Sequence, residues 1–276
     1  MAVIELDFDP FLRAGDLVVR WQALALVAVI GVALLVWVRS LRTALGPNLP
    51  FEDAAFVLLA AIPGAVVGGR LVHGLDFLDA YTAQPAAIVD LSRGSLSLVG
   101  AVVGGALTSA YVCRLLGGRV GVWADASAVA LLLAIGLGKL VMLLGGAGQG
   151  AAFGGQLAVA FGGSGPWSSP GAATPAHPAQ VYEGLWTLAG VPLAWWLTRL
   201  VRGGPREGHG LVLLAAVAWW LLGRAVIALA WRDAAVLGPL GMEGLLTCAA
   251  FLCVVALLVA ELRHIGRTPQ RNLSAP

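Results

Sequence analysis

A chain of 276 residues that is 59% hydrophobic and only 12% charged, with a mean hydropathy of +0.87, carries more apolar surface than a soluble domain of its size can bury. These values exclude a water-soluble globular protein and predict an all-α integral membrane protein formed as a single domain over residues 1–276, with no nucleic-acid partner expected. The net charge of +2 excludes nothing, because in a membrane protein only the distribution of charge is informative.

The N-terminal segment is acidic at Glu5, Asp7, Asp9 and Asp16 and lacks the basic region of a cleavable signal peptide, so none is expected. Runs of about 20 apolar residues then predict seven transmembrane helices. They are Leu17–Val38, Ala54–Val72, Ser95–Leu116, Ala124–Leu144, Ala179–Leu200, Gly210–Trp231 and Met242–Leu262. Pro63 and Gly64 mark a kink in the second helix, and Pro178 marks the start of the fifth. The 37 glycines suit close helix packing in lipid. Between the helices, residues 73–93 read as an acidic, amphipathic arm on the membrane surface, and 145–178 as a Gly-rich loop without charge up to Pro175. Residues 263–276 read as a tail. Cys113, Cys248 and Cys253 lie in apolar runs with no CxxC spacing and no nearby histidine, so they are expected to pack as small hydrophobes, and no metal site is expected.

Charge fixes the predicted orientation. The segments after predicted helices one, three, five and seven hold Arg39, Arg42, Arg114, Arg119, Arg199, Arg202, Arg206, Arg263, Arg267 and Arg271, whereas the opposite side holds only Arg13, Arg93 and Arg232. Basic loops stay inside, which predicts the N-terminus outside and the C-terminus in the cytoplasm. Four further cations, Arg20, Arg70, Lys139 and Arg224, fall within the apolar runs. A cation in hydrocarbon costs at least about 2.5–3.5 kcal/mol, so it marks a functional site unless it snorkels to the interface, a reading that stays open for Arg20 and Arg232. The predicted orientation brings these four to the outer ends of their helices, together with Glu183, Glu243, His177 and Arg232. Glu183 and Glu243 read as counter-ions or bases. The excess of cations suits a phosphate, which arginine grips with a planar fork and lysine with a point charge.

The run His177-Pro178-Ala179-Gln180-Val181-Tyr182-Glu183 concentrates an imidazole, an amide, a phenol and a carboxylate in two helical turns. With it the chain resembles the bacterial prolipoprotein diacylglyceryl transferase family, whose matching segment is His-Pro-x-Gln-Leu-Tyr-Glu. Further likenesses are Phe8-Asp9-Pro10, Gly68-Gly69-Arg70, Arg224, Arg232-Asp233, and Gly241 to Thr247 against the family's Ser-Met-Gly-Gln-x-Leu-Ser. The resemblance implies a multi-pass enzyme of the bacterial plasma (inner) membrane. It would move the diacylglyceryl group of phosphatidylglycerol to the lipobox cysteine in the signal peptide of a preprolipoprotein, without a cofactor. Partners so implied are phosphatidylglycerol, the preprolipoprotein and membrane lipid. Arg70, Lys139, Arg224 and Arg232 would hold the headgroup, with Gln180 and Tyr182 beside it, and Glu183 with His177, then Glu243, would serve as base.

The chain departs from the family at several positions. Gly94-Ser95-Leu96-Ser97-Leu98-Val99-Gly100-Ala101 replaces Gly-Gly-Leu-Ser-Phe-His-Gly-Gly, so Val99 stands where the family has a histidine. The signature Gly-Arg-Ile-Gly-Asn-Phe-Ile-Asn-Gly-Glu-Leu-Trp-Gly falls on Gly138–Gly150, with Lys139, Met142 and Ala147 for its Arg, Asn and Glu, and Gln22 replaces a first-helix tyrosine. Three readings follow: a transferase with a rearranged base, a degenerate paralogue that binds anionic lipid or lipoprotein without turnover, and an anion transporter. The last is disfavoured by the absence of an internal repeat and by apolar inner halves.

Overall fold

The structure, a computed structural model, describes residues 3–47, 49–84, 96–163 and 165–267. Its framework is helical. Long apolar sequences form helices because in lipid each backbone polar group must find its partner within the segment. The helices are α1 (Trp21–Leu45), α2 (Phe51–Asp76), the short α3 (Leu78–Ala83), α4 (Leu98–Leu115), α5 (Val120–Val141), α6 (Ala179–Val201), α7 (Leu211–Ile227) and α8 (Met242–Arg267). Among the described residues, six are long and apolar enough to cross a bilayer: α1, α2, α4, α5, α7 and α8. The remaining long helix, α6, has 23 residues, but Gln180, Glu183, Pro192 and its tryptophans lower its hydropathy.

Several boundaries differ from the sequence expectation. The first helix begins at Trp21, because Leu17–Arg20 forms strand β3 of a hairpin with β2 (Phe11–Ala14), turned at Gly15, φ 61°. The fourth predicted helix starts early, at Val120, and ends in a 3-10 turn, Met142–Gly145. The last helix runs five residues past Leu262, so the predicted tail starts as helix. Part of the predicted arm is helix α3, while residues 85–93, Gly94, Ser95 at the start of the predicted third helix, and Arg271 lie outside the described residues. Helix α2 runs unbroken through Pro63. Inside the Gly-rich loop, β4 (Val159–Phe161) pairs in parallel with β1 (Ile4–Leu6), tying the N-terminal segment to it.

Helix α5 packs on α1, α6 and α7. One core cluster joins Ala128, Leu132 and Ile135 of α5 to Val212, Trp220 and Leu221 of α7, and a second joins Trp37 and Leu41 of α1 to Trp123 and Ala126. The outward faces carry exposed Val27, Leu35, Leu107 and Leu252, as expected where the solvent is lipid. Helices α2 and α4 meet backbone to backbone through Gly64, Gly68, Gly100 and Gly104, the small-residue spacing that lets membrane helices approach closely. Along this seam an apolar groove of about 660 Å³ runs from Pro63 to Val99 and Leu246. Helices α6 and α7 are joined by a stacked pair, Trp186 and Trp219, with ring centroids 4.5 Å apart. Each indole donates to the other's backbone carbonyl, at 2.8 and 2.9 Å.

At the end of the bundle away from the cationic cluster, buried Asp125 of α5 caps α7 from outside it. Its carboxylate accepts the N–H groups of Gly210 at 3.1 Å, Val212 at 2.8 Å and Leu213 at 3.4 Å, donors that the first turn of a helix leaves without internal partners. Replacing Asp125 with Ala is expected to cost about 1–3 kcal/mol, read as a lower unfolding midpoint in detergent, because buried donors lose their acceptor.

Candidate functional site

The sequence scatters its intramembrane charges over more than a hundred residues, and the fold draws them to one end of the bundle. Helices α5 and α7 finish there, and α6 and α8 begin there. Lys139, in the last turn of α5, places Nζ 2.9 Å from Glu183 Oε2 in the second turn of α6. Arg224, in the last turn of α7, donates through Nη1 to both oxygens of Glu183 at 2.7 and 2.9 Å, and through Nη2 to Glu243 Oε1 at 2.5 Å. Glu183 also accepts the indole N–H of Trp220 at 3.2 Å. The Arg224 guanidinium lies over the Trp231 ring, 4.5 Å from its centroid. Glu183 is 1% exposed and Arg224 5%, so these charges are held almost entirely by each other.

Glu243 is the open member of this knot. It accepts Ser97 Oγ at 3.3 Å, and Ser97 is the N-cap of α4. Asp76, the last residue of α2, lies near Glu243. Asp233, in the α7–α8 connection, is the third acid here. Its partial burial and the neighbouring Glu243 push its carboxyl above the ordinary range, and Arg224 opposes the shift. Arg70 is buried nearly two turns before the end of α2 at Asp76, beside His73, and donates from Nη1 to the Tyr81 phenol of α3 at 3.5 Å.

Arg232 is occupied differently. Its Nε donates to the Gly150 carbonyl, Nη1 to the Pro170 carbonyl at 2.6 Å, and Nη2 to Gln149 Oε1 at 3.4 Å. Gln149 in turn donates to the carbonyls of Val159 at 3.0 Å and Ala172 at 3.2 Å. Arg232 and Gln149 therefore clamp the Gly-rich loop onto the end of α7. The loop also meets the start of α6, where Gly150 N–H donates to His177 O at 2.7 Å and His177 N–H to Ala151 O at 3.0 Å. The His177 ring stacks on Phe153, centroids 3.9 Å apart, and stands edge-on to Tyr182 at 6.2 Å. The amide of Gln180, 1% exposed, and His177 Nδ1 find no hydrogen-bond partner among the described residues. Arg20, at the end of β3, bonds Ser168 Oγ at 3.1 Å and lies over Phe11, away from the knot.

The N-terminal motif closes the same end. Asp9 accepts the Phe11 N–H at 2.9 Å and Arg13 Nε at 3.0 Å, which hold its carboxyl below the usual range. The Pro10 carbonyl accepts the first N–H of α1, from Trp21, at 3.0 Å, and Phe8 packs edge-on to Trp167 of the loop, 5.0 Å between centroids.

A site of cations, carboxylates and an unpartnered amide, set where apolar helices end under a glycine-rich loop, fits an anionic amphiphile. The comparisons agree with that chemistry: the prolipoprotein diacylglyceryl transferase family model matches residues 10–260. The chain belongs to this family. Among its relatives, the phosphatidylglycerol–prolipoprotein diacylglyceryl transferase of Leifsonia xyli subsp. xyli is 30% identical across 97% of this chain and 80% of its own. That of Geobacter sulfurreducens is 29% identical across 94% and 97%. That of Bordetella avium is 29% identical across 70% and 72%. The chain is thus a member of a family of membrane-embedded transferases.

The structure also locates the departures from the family pattern. Val99 is 6% exposed and packs in the α5–α7 core, so no proton carrier stands there. Met142 lies against Gly148 beside Gln180, and Gln22 reaches Gly145. Glu243 occupies a position that reads glycine in the family segment quoted above. Sequence reasoning brought Lys139, Glu183, Arg224 and Glu243 to one face. It missed Asp76, which falls within the predicted acidic arm of residues 73–93, and Ser97 and Gln149, whose roles arise only from distant partners.

Proposed function

We propose that this chain transfers the diacylglyceryl group of phosphatidylglycerol to the lipobox cysteine of preprolipoproteins at the outer face of the bacterial plasma membrane. The observation that carries this reading is the buried knot of Lys139, Arg224, Glu183 and Glu243 beside the unpartnered amide of Gln180. The arrangement of basic loops supports seven spans, α6 included, with the N-terminus and the knot outward and the C-terminal residues 263–276 cytoplasmic. Residues 73–93 then form the outer arm and 145–178 the outer loop.

In this reading the headgroup phosphate meets Arg70, Lys139 and Arg224, with Gln180 and Tyr182 beside the glycerol, and the acyl chains follow the groove between α2 and α4. Arg232 acts through the loop it clamps. The cysteine sulfur, once deprotonated, displaces the phosphate oxygen from the glyceryl carbon. A C–S bond forms, a C–O bond breaks, and glycerol phosphate leaves with the electron pair, stabilised by the cations. No electrons are lost or gained, so the reaction needs no cofactor. Glu183, with both oxygens engaged by cations, serves to hold those cations, which leaves His177 and Glu243 to take the proton.

Purified protein mixed with phosphatidylglycerol and a lipobox peptide is expected to yield a diacylglyceryl adduct on the cysteine by mass spectrometry. Replacing Arg232 with Ala is expected to abolish the adduct, because the loop loses its clamp; unchanged transfer would remove the loop from the site. A second reading, a paralogue that binds anionic lipid or lipoprotein without turnover, draws support from Val99. It predicts bound phosphatidylglycerol and no adduct.

A further inference from the structure

We propose that the side-chain amide of Gln180 reads the hydroxyls of the lipid headgroup, and so makes this chain select a polyol phospholipid over one with an amine or a bare alkyl headgroup. This rests on the transfer reading and deepens it, by naming the residue that sets headgroup choice. Gln180 is the second residue of α6 and is 1% exposed, yet neither its Oε1 nor its Nε2 has a hydrogen-bond partner among the described residues. A buried amide with both ends unpaired is costly to the fold, which marks it as a group completed by a ligand. Its immediate neighbours are poor substitutes. Gly148, at φ 76°, lays the loop backbone against the stem of Gln180: a side chain there would begin 3.1 Å from Gln180 Cβ and 2.9 Å from Met142 Cε. Met142 is a thioether, only a weak acceptor and no donor. The buried Nδ1 of His177, three residues earlier, is likewise unpartnered, and its ring is fixed by stacking on Phe153.

The placement of the amide matches a headgroup. Gln180 lies three residues before Glu183, on the same face of α6 and about 4.5 Å from it along the helix axis. Glu183 is the carboxylate that gathers Lys139 and Arg224, at 2.9 and 2.7 Å. A phosphate drawn to those cations therefore has the amide about one turn away, on the side covered by the loop. The hydroxyls of a glycerol esterified to that phosphate reach about as far.

An amide offers an acceptor oxygen and a donor NH2, and a hydroxyl both donates and accepts. Two adjacent hydroxyls can therefore donate to Oε1 and accept from Nε2 together. An ethanolamine headgroup has only N–H donors, which leaves Nε2 unpaired and sets an ammonium beside Lys139 and Arg224. A propyl headgroup pairs with neither end. A site whose buried polar group pairs with a hydroxyl rejects the analogue that lacks it far more strongly than an apolar pocket rejects an added hydroxyl, because the polar group is then left bare. No bond forms or breaks at Gln180, which decides only which lipid is held.

The test sets phosphatidylglycerol against phosphatidylpropanol, which has the same phosphodiester and acyl chains and no headgroup hydroxyl. Wild type and Gln180→Met, a swap of similar size without the amide, are purified and given vesicles of either lipid with a lipobox peptide. Transfer is read by mass spectrometry as kcat/KM, and lipid binding by native mass spectrometry with the two lipids in competition. The unfolding midpoint is measured without added lipid. Wild type is expected to use phosphatidylglycerol at least about 100-fold better than phosphatidylpropanol. Gln180→Met is expected to lose most of that ratio, by slowing transfer from phosphatidylglycerol far more than from phosphatidylpropanol. Its midpoint is expected not to fall, because the group removed was unpaired. A wild type indifferent to the hydroxyls, or a variant that keeps the wild-type preference, would overturn the proposal. So would a variant slowed equally with both lipids, which would assign the amide to the peptide or to the fold. A wild type that forms no adduct from either lipid would overturn the transfer reading alone, and the binding competition would still decide whether headgroup choice depends on Gln180.

Discussion

Replacing Glu183 with Gln is expected to destabilise the protein by about 3–5 kcal/mol, the cost of leaving a buried charge without its partner. The size of the effect follows from the number of bonds meeting at one carboxylate: Lys139 Nζ at 2.9 Å, Arg224 Nη1 on both oxygens, and the Trp220 indole. A glutamine keeps the shape and one acceptor oxygen and leaves two buried cations facing a neutral amide. The unfolding midpoint in detergent measures the loss. The double variant Lys139→Met with Glu183→Gln is expected to regain part of it, because removing both members of a pair costs less than removing one. Transfer is not expected to return with stability, since the headgroup cations are then fewer and less ordered. A Glu183→Gln protein as stable as wild type would mean that the knot does not persist in the membrane.

The second large effect is expected at the α2–α4 seam. A side chain at Gly68 would begin against the carbonyl oxygen of Gly100 and 2.9 Å from the α-carbon of Gly104. Both obstacles are backbone, so no rotamer change relieves them. Gly68→Val is expected to force the helices apart at a cost of about 3 kcal/mol, at the upper end of overpacking effects. Arg70 lies two residues further along α2, and the Ser97 N–H donates to the Gly69 carbonyl at 3.0 Å. The displacement therefore carries into the site, and transfer is expected to fall along with the unfolding midpoint. Gly31, where an added side chain meets open space, is the control position: Gly31→Ala is expected to leave both nearly unchanged.

Hydropathy made the long helices legible in the sequence because a span in lipid needs only length and apolar composition, both local properties. Helix α6 was legible as well, at Ala179–Leu200, although Gln180 and Glu183 make it less apolar than the other long helices. The β1–β4 pairing was not legible, since Ile4–Leu6 and Val159–Phe161 are three residues each and meet across more than 150 positions of chain. Leu17–Arg20 looked like the start of a helix for the opposite reason: a short apolar strand and an apolar helix end have the same composition. At the site, cations stood out because each interrupts an apolar run. Asp76 and Asp125 did not, since an acid at a helix end is ordinary until its neighbour is known, and those neighbours are Glu243 and the N-terminus of α7.

The order of the knot's four charges along the chain has a consequence for how the protein is made. Synthesis delivers Lys139, then Glu183, then Arg224, then Glu243, so positive and negative alternate. As each helix leaves the ribosome, a cation waits for the next carboxylate, and the running sum of these four charges returns to zero after every second one. The growing bundle never has to shelter more than one of them uncompensated. The opposite order, with both cations first, would ask a half-made protein to hold two, each at a cost of about 2.5–3.5 kcal/mol.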